Sequence, residues 1–261
     1  MTSSPAPDGS LERALSDLEA HAESAVRALQ AAAKAAKRVQ AAAATGLLRD
    51  VAQGIDATVR LAAEAAGTAA DLRSGWAFDA EAHLASGEYT KELLATAADA
   101  GLPMFELDDR LLSYPSIVSV SPSDASVVID KKKDRRLRPS VVVGLLAAIS
   151  QRPPKFKPEP FLEALAKAYD LVAPRPGATV KLVDVYRALT LLPGSGREYT
   201  KAEFARDVYL LDQSGITTTK DGREMSLPAS ALTRSGGTLT TVAKGGQVKV
   251  YAGLCFNRRS A

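Results

Sequence analysis

Apolar residues recur every three or four positions along residues 11–69, which is the spacing of one face of an α-helix. Ser10 predicts an N-cap where this pattern starts, and Gly46 predicts a break within it. We therefore expect two long, alanine-rich helices that form an antiparallel hairpin with closely approaching axes; one continuous helix with tolerated glycines is the alternative. The first stripe comprises Leu11, Leu15, Leu18, Ala22, Ala25, Leu29, Ala32 and Ala36, and the second comprises Leu47, Val51, Ile55, Val59 or alternatively Thr58, Ala62, Ala65 and Ala69.

The period changes to two after Gly101, and short apolar runs then alternate with turn residues. This pattern predicts a small antiparallel sheet over 104–130, with Asp108–Asp109 as one of its tight turns. Longer apolar runs at 141–149 and 161–172 predict two helices, since prolines border both of them.

The C-terminal third predicts two helices followed by a hairpin. Residues 180–192 and 201–213 carry helical apolar stripes, and Thr200 with Glu203 forms a capping-box pattern before the second stripe. A β-hairpin pattern follows at 239–251, in which Gly245–Gly246 predicts a two-residue turn with positive φ angles. This order of elements resembles the winged-helix class in general.

These patterns together predict a helix-rich α+β protein with a long N-terminal helical hairpin, a small antiparallel sheet with helices in the middle, and a winged-helix-like C-terminal region. The predicted divisions are a disordered tail at 1–9, a coiled-coil-like hairpin at 10–74, a mixed α/β domain with a basic loop at 75–173, and a winged-helix-like domain at 174–261.

Charge is distributed unevenly along the 261 residues, although the formal net charge is only +3. Residues 75–130 carry ten acidic and two basic side chains, whereas residues 131–160 carry nine basic and two acidic ones. Within 131–138, six of the eight residues are cationic. Clustered charge of one sign indicates an anionic partner such as a nucleic-acid backbone; a solvated loop, or a contact with the preceding acidic segment, is the alternative.

Ten residues are candidates for contact with nucleic acid. The basic run lies on a predicted loop, where it could neutralise phosphates without reading base sequence. In a winged helix the second helix enters the major groove and the hairpin reaches the backbone or minor groove. Acidic neighbours on the predicted second helix favour the alternative of a protein-docking winged helix. The candidates are Lys131, Lys132, Lys133, Arg135, Arg136 and Arg138 in the run, Lys201 and Arg206 on the helix, and Lys244 and Lys249 on the hairpin.

Catalytic and metal chemistry finds little support in the sequence. The two histidines, His21 and His83, are far apart, and the single Cys255 excludes an intramolecular disulfide and a multi-cysteine metal site. Turn preference accounts for Asp108–Asp109, and no glycine-rich segment has Walker spacing. We expect no enzyme activity, no cofactor and no small-molecule substrate. With neither a secretory signal nor an apolar run of membrane-spanning length, we expect a cytoplasmic protein without a membrane partner.

The sequence therefore predicts a non-enzymatic, DNA-associated accessory or regulatory subunit of a larger complex. The N-terminal stripe predicts assembly with a second copy or another protein, because small alanine contacts bury little area and such a long stripe needs a partner surface. A scaffold subunit with no role in nucleic-acid binding is the alternative. The assembly residues predicted are Leu11, Leu15, Leu18 and Leu29.

Overall fold

The computed structural model describes residues 9–191, 195–228 and 237–258. All but the last residue of the predicted 1–9 tail lies outside these ranges. The chain forms two compact units. The first contains the chain up to Leu93 with Pro122–Ala125 and Leu137–Val141, and the second contains Leu94–Ser121, Ser126–Arg136 and the chain from Val142 onward.

The N-terminal hairpin is the main feature of the first unit. Helix α1 spans Leu11–Thr45 and α2 spans Leu48–Gly75. Ser10 Oγ accepts a hydrogen bond from the Arg13 backbone N–H at 3.2 Å, as its N-cap position predicts. Gly46 ends α1 in the left-handed conformation with φ 73°. The hairpin prediction is confirmed, and a continuous helix is excluded.

Small residues line the contact between α1 and α2. A Cβ atom at Gly54 would lie 2.8 Å from Val39 Cγ2, and one at Gly75 would lie 2.8 Å from His21 Nδ1. From Ala25 onward on α1, and throughout α2, the inward positions alternate in steps of three and four, as in a coiled coil. We call these positions the seam: on α1 it comprises Leu18, Ala25, Ala28, Ala32, Ala35, Val39 and Ala42, and on α2 it comprises Val51, Gly54, Thr58, Leu61, Ala65, Thr68 and Leu72.

After Ala25, the predicted stripe differs from the seam at Leu29 and Ala36, where the seam instead contains Ala28 and Ala35. Leu29 is 53% exposed, whereas the adjacent Ala28 is half-buried. The close approach of the two helices favours the small side chain at the contact and turns the larger one outward. Among the other predicted assembly residues, Leu11 is buried and both Leu15 and Leu18 are half-buried.

The first turn of α1 is capped by a residue from another helix. Helix α3 spans Ala80–Ala85, and α4 spans Glu88–Asp99. The carboxylate of Glu92 accepts hydrogen bonds from the backbone N–H groups of Leu11 at 3.0 Å and Glu12 at 2.8 Å. His83 Nε2 lies 2.8 Å from the same carboxylate. A negative charge at a helix N-terminus satisfies free N–H groups and stabilises the helix dipole.

The second unit contains a five-stranded antiparallel sheet in chain order. The sheet predicted over 104–130 is confirmed, but it extends beyond residue 130. Part of the basic run forms a fifth strand that pairs with the edge of the sheet. The loop prediction is therefore wrong for Lys132–Asp134, whereas residues 135–138 form neither helix nor strand. The strands are β1 Phe105–Leu107, β2 Arg110–Ser113, β3 Ser116–Ser121, β4 Ser126–Ile129 and β5 Lys132–Asp134.

Two of the turns in this sheet contain two residues with positive φ. These angles are 48° and 58° at Asp108 and Asp109, and 46° and 68° at Asp130 and Lys131. Such angles give the turn the twist of the strands it joins. Both turns therefore hold adjacent strands in tight register without glycine.

Helices pack against a second, three-stranded sheet in the C-terminal part of this unit. The helices that supply this core are α6 Pro158–Val172, α7 Leu182–Leu189 and α9 Lys201–Ser214, and the chain also forms α5 Pro139–Ser150 and the short α8 Ser195–Glu198. The strands are β6 Val180–Lys181, β7 Arg223–Ser226, β8 Leu239–Val242, β9 Val248–Tyr251 and β10 Gly253–Arg258. The three-stranded sheet has the order β6-β10-β7. Leu162, Leu165, Leu182, Phe204 and Leu254 are buried in the core between the helices and this sheet.

The helix predicted at 180–192 is shorter than expected. Val180 and Lys181 pair with Leu254 and Gly253 as strand residues, and the helix itself ends at Leu189. A pairing partner so distant in the chain is not visible in a local apolar pattern. The capping box before α9 is confirmed, since Thr200 Oγ1 accepts from the Glu203 N–H.

The predicted hairpin at 239–251 forms, but its turn is different. Gly246 N–H donates to the Ala243 carbonyl, so Lys244 and Gly245 are the central residues, and only Gly246 has a positive φ, of 82°. This is a longer connection with a glycine bulge rather than a Gly-Gly turn. The hairpin packs on α9, where the Tyr251 hydroxyl donates to Asp212 at 2.8 Å. The winged-helix assignment stays a prediction.

No helix in the described ranges is both long and apolar enough to cross a membrane.

The close approach at Gly54 predicts a stability effect. We expect Gly54→Leu to lower the free energy of unfolding by about 1–3 kcal/mol, because the new side chain must displace Val39 or separate the helices. Gly67→Leu on the same helix is the matched control, since a Cβ there meets no atom within 4 Å. It should raise stability by up to about 1 kcal/mol through helix propensity. Urea unfolding measures both, and equal effects at the two glycines would contradict close packing of the hairpin.

Candidate nucleic-acid interface

The cations of the basic run have different surroundings. Arg136 forms an ion pair with Asp134 at 2.5 Å, and its hydrogen bonds lower the pKa of Asp134 to about 2. In the first unit, Arg138 binds Glu12 at 2.8 Å and Glu19 at 2.6 Å. Neither arginine is therefore an uncompensated charge.

The turn between β4 and β5 binds the N-terminus of α9. Lys131 Nζ lies 3.1 Å from Glu203 Oε1 and also donates to the Glu198 carbonyl. Glu203 accepts in addition from the backbone N–H of Thr200 at 2.7 Å. Burial opposes ionisation of Glu203, but the hydrogen bonds from Thr200 and Lys131 outweigh it and lower the pKa of this carboxyl. The charge of Lys131 is thus used within the chain.

A second set of bonds joins the same turn to α9. Arg206 contacts both Asp130 and Asp207 at 3.0 Å. The Tyr199 hydroxyl donates to Asp207 at 2.9 Å. Burial raises the pKa values of Asp207 and Tyr199. This network fixes the β4–β5 turn, and with it the start of β5, against the side of α9.

Beside this network lies a groove of about 720 Å³, which we call the cationic groove. Its apolar lining includes Ile149, Phe156 and Leu210. Its charged lining comprises the cations Lys132, Lys133, Arg152, Lys155, Lys157 and Arg206 and the acids Asp130, Asp134 and Asp207.

The acids of the cationic groove already have cationic partners. Asp130 and Asp207 bind Arg206, and Asp134 binds Arg136. In contrast, the exposed side chains of Lys132, Arg152, Lys155 and Lys157 form no ion pair with any residue in the described ranges. The uncompensated charge of the groove is therefore positive, and like charges held together attract an anion.

A proline-rich segment supplies three of these four cations. Pro153 and Pro154 restrict the backbone between Arg152 and Lys155. Phe156 packs against Phe161 with ring centroids 5.5 Å apart. A half-buried aromatic side chain thus holds the segment, while Lys155 and Lys157 on either side stay exposed.

Sequence reasoning missed these groove residues. Arg152, Lys155 and Lys157 contribute to the positive charge of 131–160, but their segment is marked in the sequence mainly by its prolines. The alternation Lys155-Phe156-Lys157 is the signal that could have found them, because it places one aromatic residue between two cations.

The structure brings together only part of the predicted set. Lys132, Lys133 and Arg206 line the cationic groove, and the other seven predicted cations do not. Arg135, Lys201, Lys244 and Lys249 are exposed elsewhere on this unit. The predicted contacts of all ten with nucleic acid remain predictions.

Other chemistry is not apparent in the described ranges. No group of three histidine, cysteine, aspartate or glutamate residues there is placed to hold a metal ion. Cys255 is a buried free thiol on β10, and its Sγ lies 3.2 Å from the Gly177 carbonyl. His83 is bound to Glu92 at the α1 cap.

The Lys131–Glu203 pair predicts a pH-dependent stability. Because the folded pKa of Glu203 is lowered, its ionised form stabilises the fold above the ordinary glutamate pKa, and this contribution disappears as pH falls through the folded value. We expect Glu203→Gln to lower the free energy of unfolding by about 1 kcal/mol at neutral pH and to have little effect in acid. Denaturant unfolding at both pH values tests this.

Glu224→Gln is the matched control for this measurement. Glu224 is exposed on β7, so its substitution should change stability by less than about 0.5 kcal/mol at either pH. A Glu203→Gln effect of equal size at both pH values would show that the ionised carboxylate does not stabilise this contact.

Comparison of the chain with protein-family models, with curated proteins and with solved structures found no match. Its function is therefore inferred from the residues of the cationic groove.

Proposed function

We propose that this chain is a non-enzymatic, DNA-associated accessory or regulatory subunit that binds nucleic-acid backbone through the cationic groove. One observation carries the proposal: four exposed cations line a single groove whose acids are already paired. A backbone that binds several lysines and arginines releases condensed counterions, and this release drives sequence-independent binding.

The groove suits phosphate contact better than base reading. Lysine is a flexible point charge, and three of the four uncompensated cations are lysines. Arg206, the arginine on α9 best placed to contact a base, is already bound by Asp130 and Asp207. We therefore expect little preference among DNA sequences.

The C-terminal elements support a secondary contact. The order α6, β6, α7, α9, β7, β10 and the sheet order β6-β10-β7 favour a winged-helix interpretation. Lys201 begins α9, and Lys244 and Lys249 are exposed on the hairpin that packs on it. In the proposed function these three lysines bind backbone outside the groove.

The alternative function is that of a protein-interaction subunit with no role in nucleic-acid binding. The apolar side chains Ile149, Phe156 and Leu210 favour it, because a cationic groove with an apolar floor also suits an acidic, apolar peptide. Either function fits a cytoplasmic subunit whose single free cysteine is buried.

Neutralising the groove tests the proposal. We expect the triple variant Lys132→Ala, Lys155→Ala, Lys157→Ala to weaken binding of the full chain about equally to duplexes of different sequence. The slope of log affinity against log salt should flatten by nearly one for each phosphate that the variant no longer binds. Fluorescence anisotropy with labelled duplexes over a salt series measures both quantities.

A matched control separates the groove from total charge. The triple variant Lys167→Ala, Arg175→Ala, Lys220→Ala removes three exposed cations of the same unit that do not line the groove, and it should keep the wild-type slope. If Lys244→Ala with Lys249→Ala flattens the slope while the groove variant does not, the groove is not the contact. A wild-type chain without salt-dependent DNA binding would exclude the DNA function and leave the alternative.

A further inference from the structure

The helical hairpin exposes large apolar side chains that its seam does not use. Val26 and Leu29 on α1 are 51% and 53% exposed, and Ile55 and Val59 on α2 are 48% and 65% exposed. Leu48, at the start of α2, is 80% exposed. Scattered exposed apolar residues are ordinary, so their arrangement decides whether they form a surface.

These side chains follow the seam at a constant offset. Four of them stand one position after a seam residue, as Val26 follows Ala25 and Ile55 follows Gly54, and Leu48 lies two helical turns before Ile55 on the same stripe. One residue turns a helix by about 100°, and the two helices run antiparallel, so the same step turns both stripes to the same side of the hairpin. We call this side the outer apolar face; it comprises Val26, Leu29, Ala33, Ala36, Leu48, Ile55, Val59 and Ala62, all exposed.

The opposite side of the hairpin is polar. One position before the seam residues lie Ser24 and Arg38 on α1 and Asp50, Glu64 and Asp71 on α2. A hairpin with an apolar seam, one apolar side and one polar side has the pattern of half a four-helix bundle, in which two hairpins bury their apolar sides against each other.

We infer that the outer apolar face binds the same face of a second copy of this chain, with α1 of one copy packed on α2 of the other. The area is sufficient. The two stripes together extend along the hairpin from Val26 to Leu48 at the turn, a length of about 20 helical residues or roughly 30 Å, and two adjacent helices are about 20 Å wide. Burial of roughly 600 Å² on each copy gives a total near 1,200 Å², the lower end for specific interfaces.

Charge at the edge of the face selects a second copy as the occupant. Gly54 lies opposite Val39, so Lys37 and Asp56, which lie two residues before Val39 and two residues after Gly54, stand at the same height in the antiparallel hairpin. Both border the outer apolar face, both are exposed, and neither forms an ion pair with a described residue. A two-fold axis parallel to the helices brings Lys37 of each copy to Asp56 of the other.

Packing of α1 against α1 would instead place like charges together. Lys37 is the cation of α1 that borders this face, whereas α2 presents Asp56 at the same height. The arrangement with α1 on α2 is therefore electrostatically favoured. This inference does not depend on DNA binding, and it replaces Leu15 and Leu18, which are half-buried, with side chains that are free to contact a partner.

Mass in solution tests the inference on the full chain. We expect the wild type to sediment as a species of twice 27.4 kDa, and Leu29→Gln with Val59→Gln to sediment as a monomer with unchanged helical circular dichroism. Leu171→Gln with Leu191→Gln is the matched control, since both leucines are 72% exposed in the other unit, and it should remain a dimer. A monomeric wild type, or a dimeric Leu29→Gln, Val59→Gln variant, would overturn the inference.

A charge swap tests the orientation. Lys37→Asp alone and Asp56→Lys alone each place like charges at both symmetry-related Lys37–Asp56 contacts and should weaken the dimer several-fold, as exposed ion pairs contribute modestly. The combined variant Lys37→Asp, Asp56→Lys restores opposite charges and should recover the wild-type dissociation constant. If it dimerises no better than the single variants, α1 does not pack on α2 of the second copy.

Discussion

The bonds between the β4–β5 turn and α9 determine the architecture of the proposed site. Asp130 and Lys131 both adopt positive φ, and each forms an ion pair with α9, to Arg206 and Glu203 respectively. These pairs place β5 beside the helix, so that Lys132 lines the same groove as Arg206. They also neutralise Asp130, which would otherwise cancel positive charge there. Without them β5 would be a short edge strand held only by β4.

The elements that sequence predicted well depend on neighbouring residues. The left-handed cap at Gly46 and the Thr200–Glu203 capping box are local signals, and both are present. The sequence could not predict which helical positions face the partner helix, because the choice between Ala28 and Leu29 depends on how closely the two helices approach each other. The strand at 180–181 was missed for a similar reason, since it exists only through pairing with β10.

The candidate site was predictable in charge but not in geometry. A run of six cations looks uniform in sequence, yet Lys131 and Arg138 bind acids far away in the chain, at Glu203 and Glu12. Ion pairs between distant residues leave no local pattern. Lys155 and Lys157 show the opposite case. Two lysines on either side of Phe156 form no conspicuous basic cluster in the sequence, and they line a groove only because the proline-rich segment lies beside β5.

The Glu92 cap of α1 has a consequence for the order of folding. Leu11 and Glu92 are 81 residues apart, whereas α1 and α2 are joined by a two-residue connection. Closing a long loop costs more chain entropy than closing a short one, so we expect the hairpin to form from its turn outward and the first turn of α1 to be fixed last. Amide hydrogen exchange would separate the two events: Leu11 and Glu12 report opening of the cap, and Ala35 and Ala42 report opening of the hairpin.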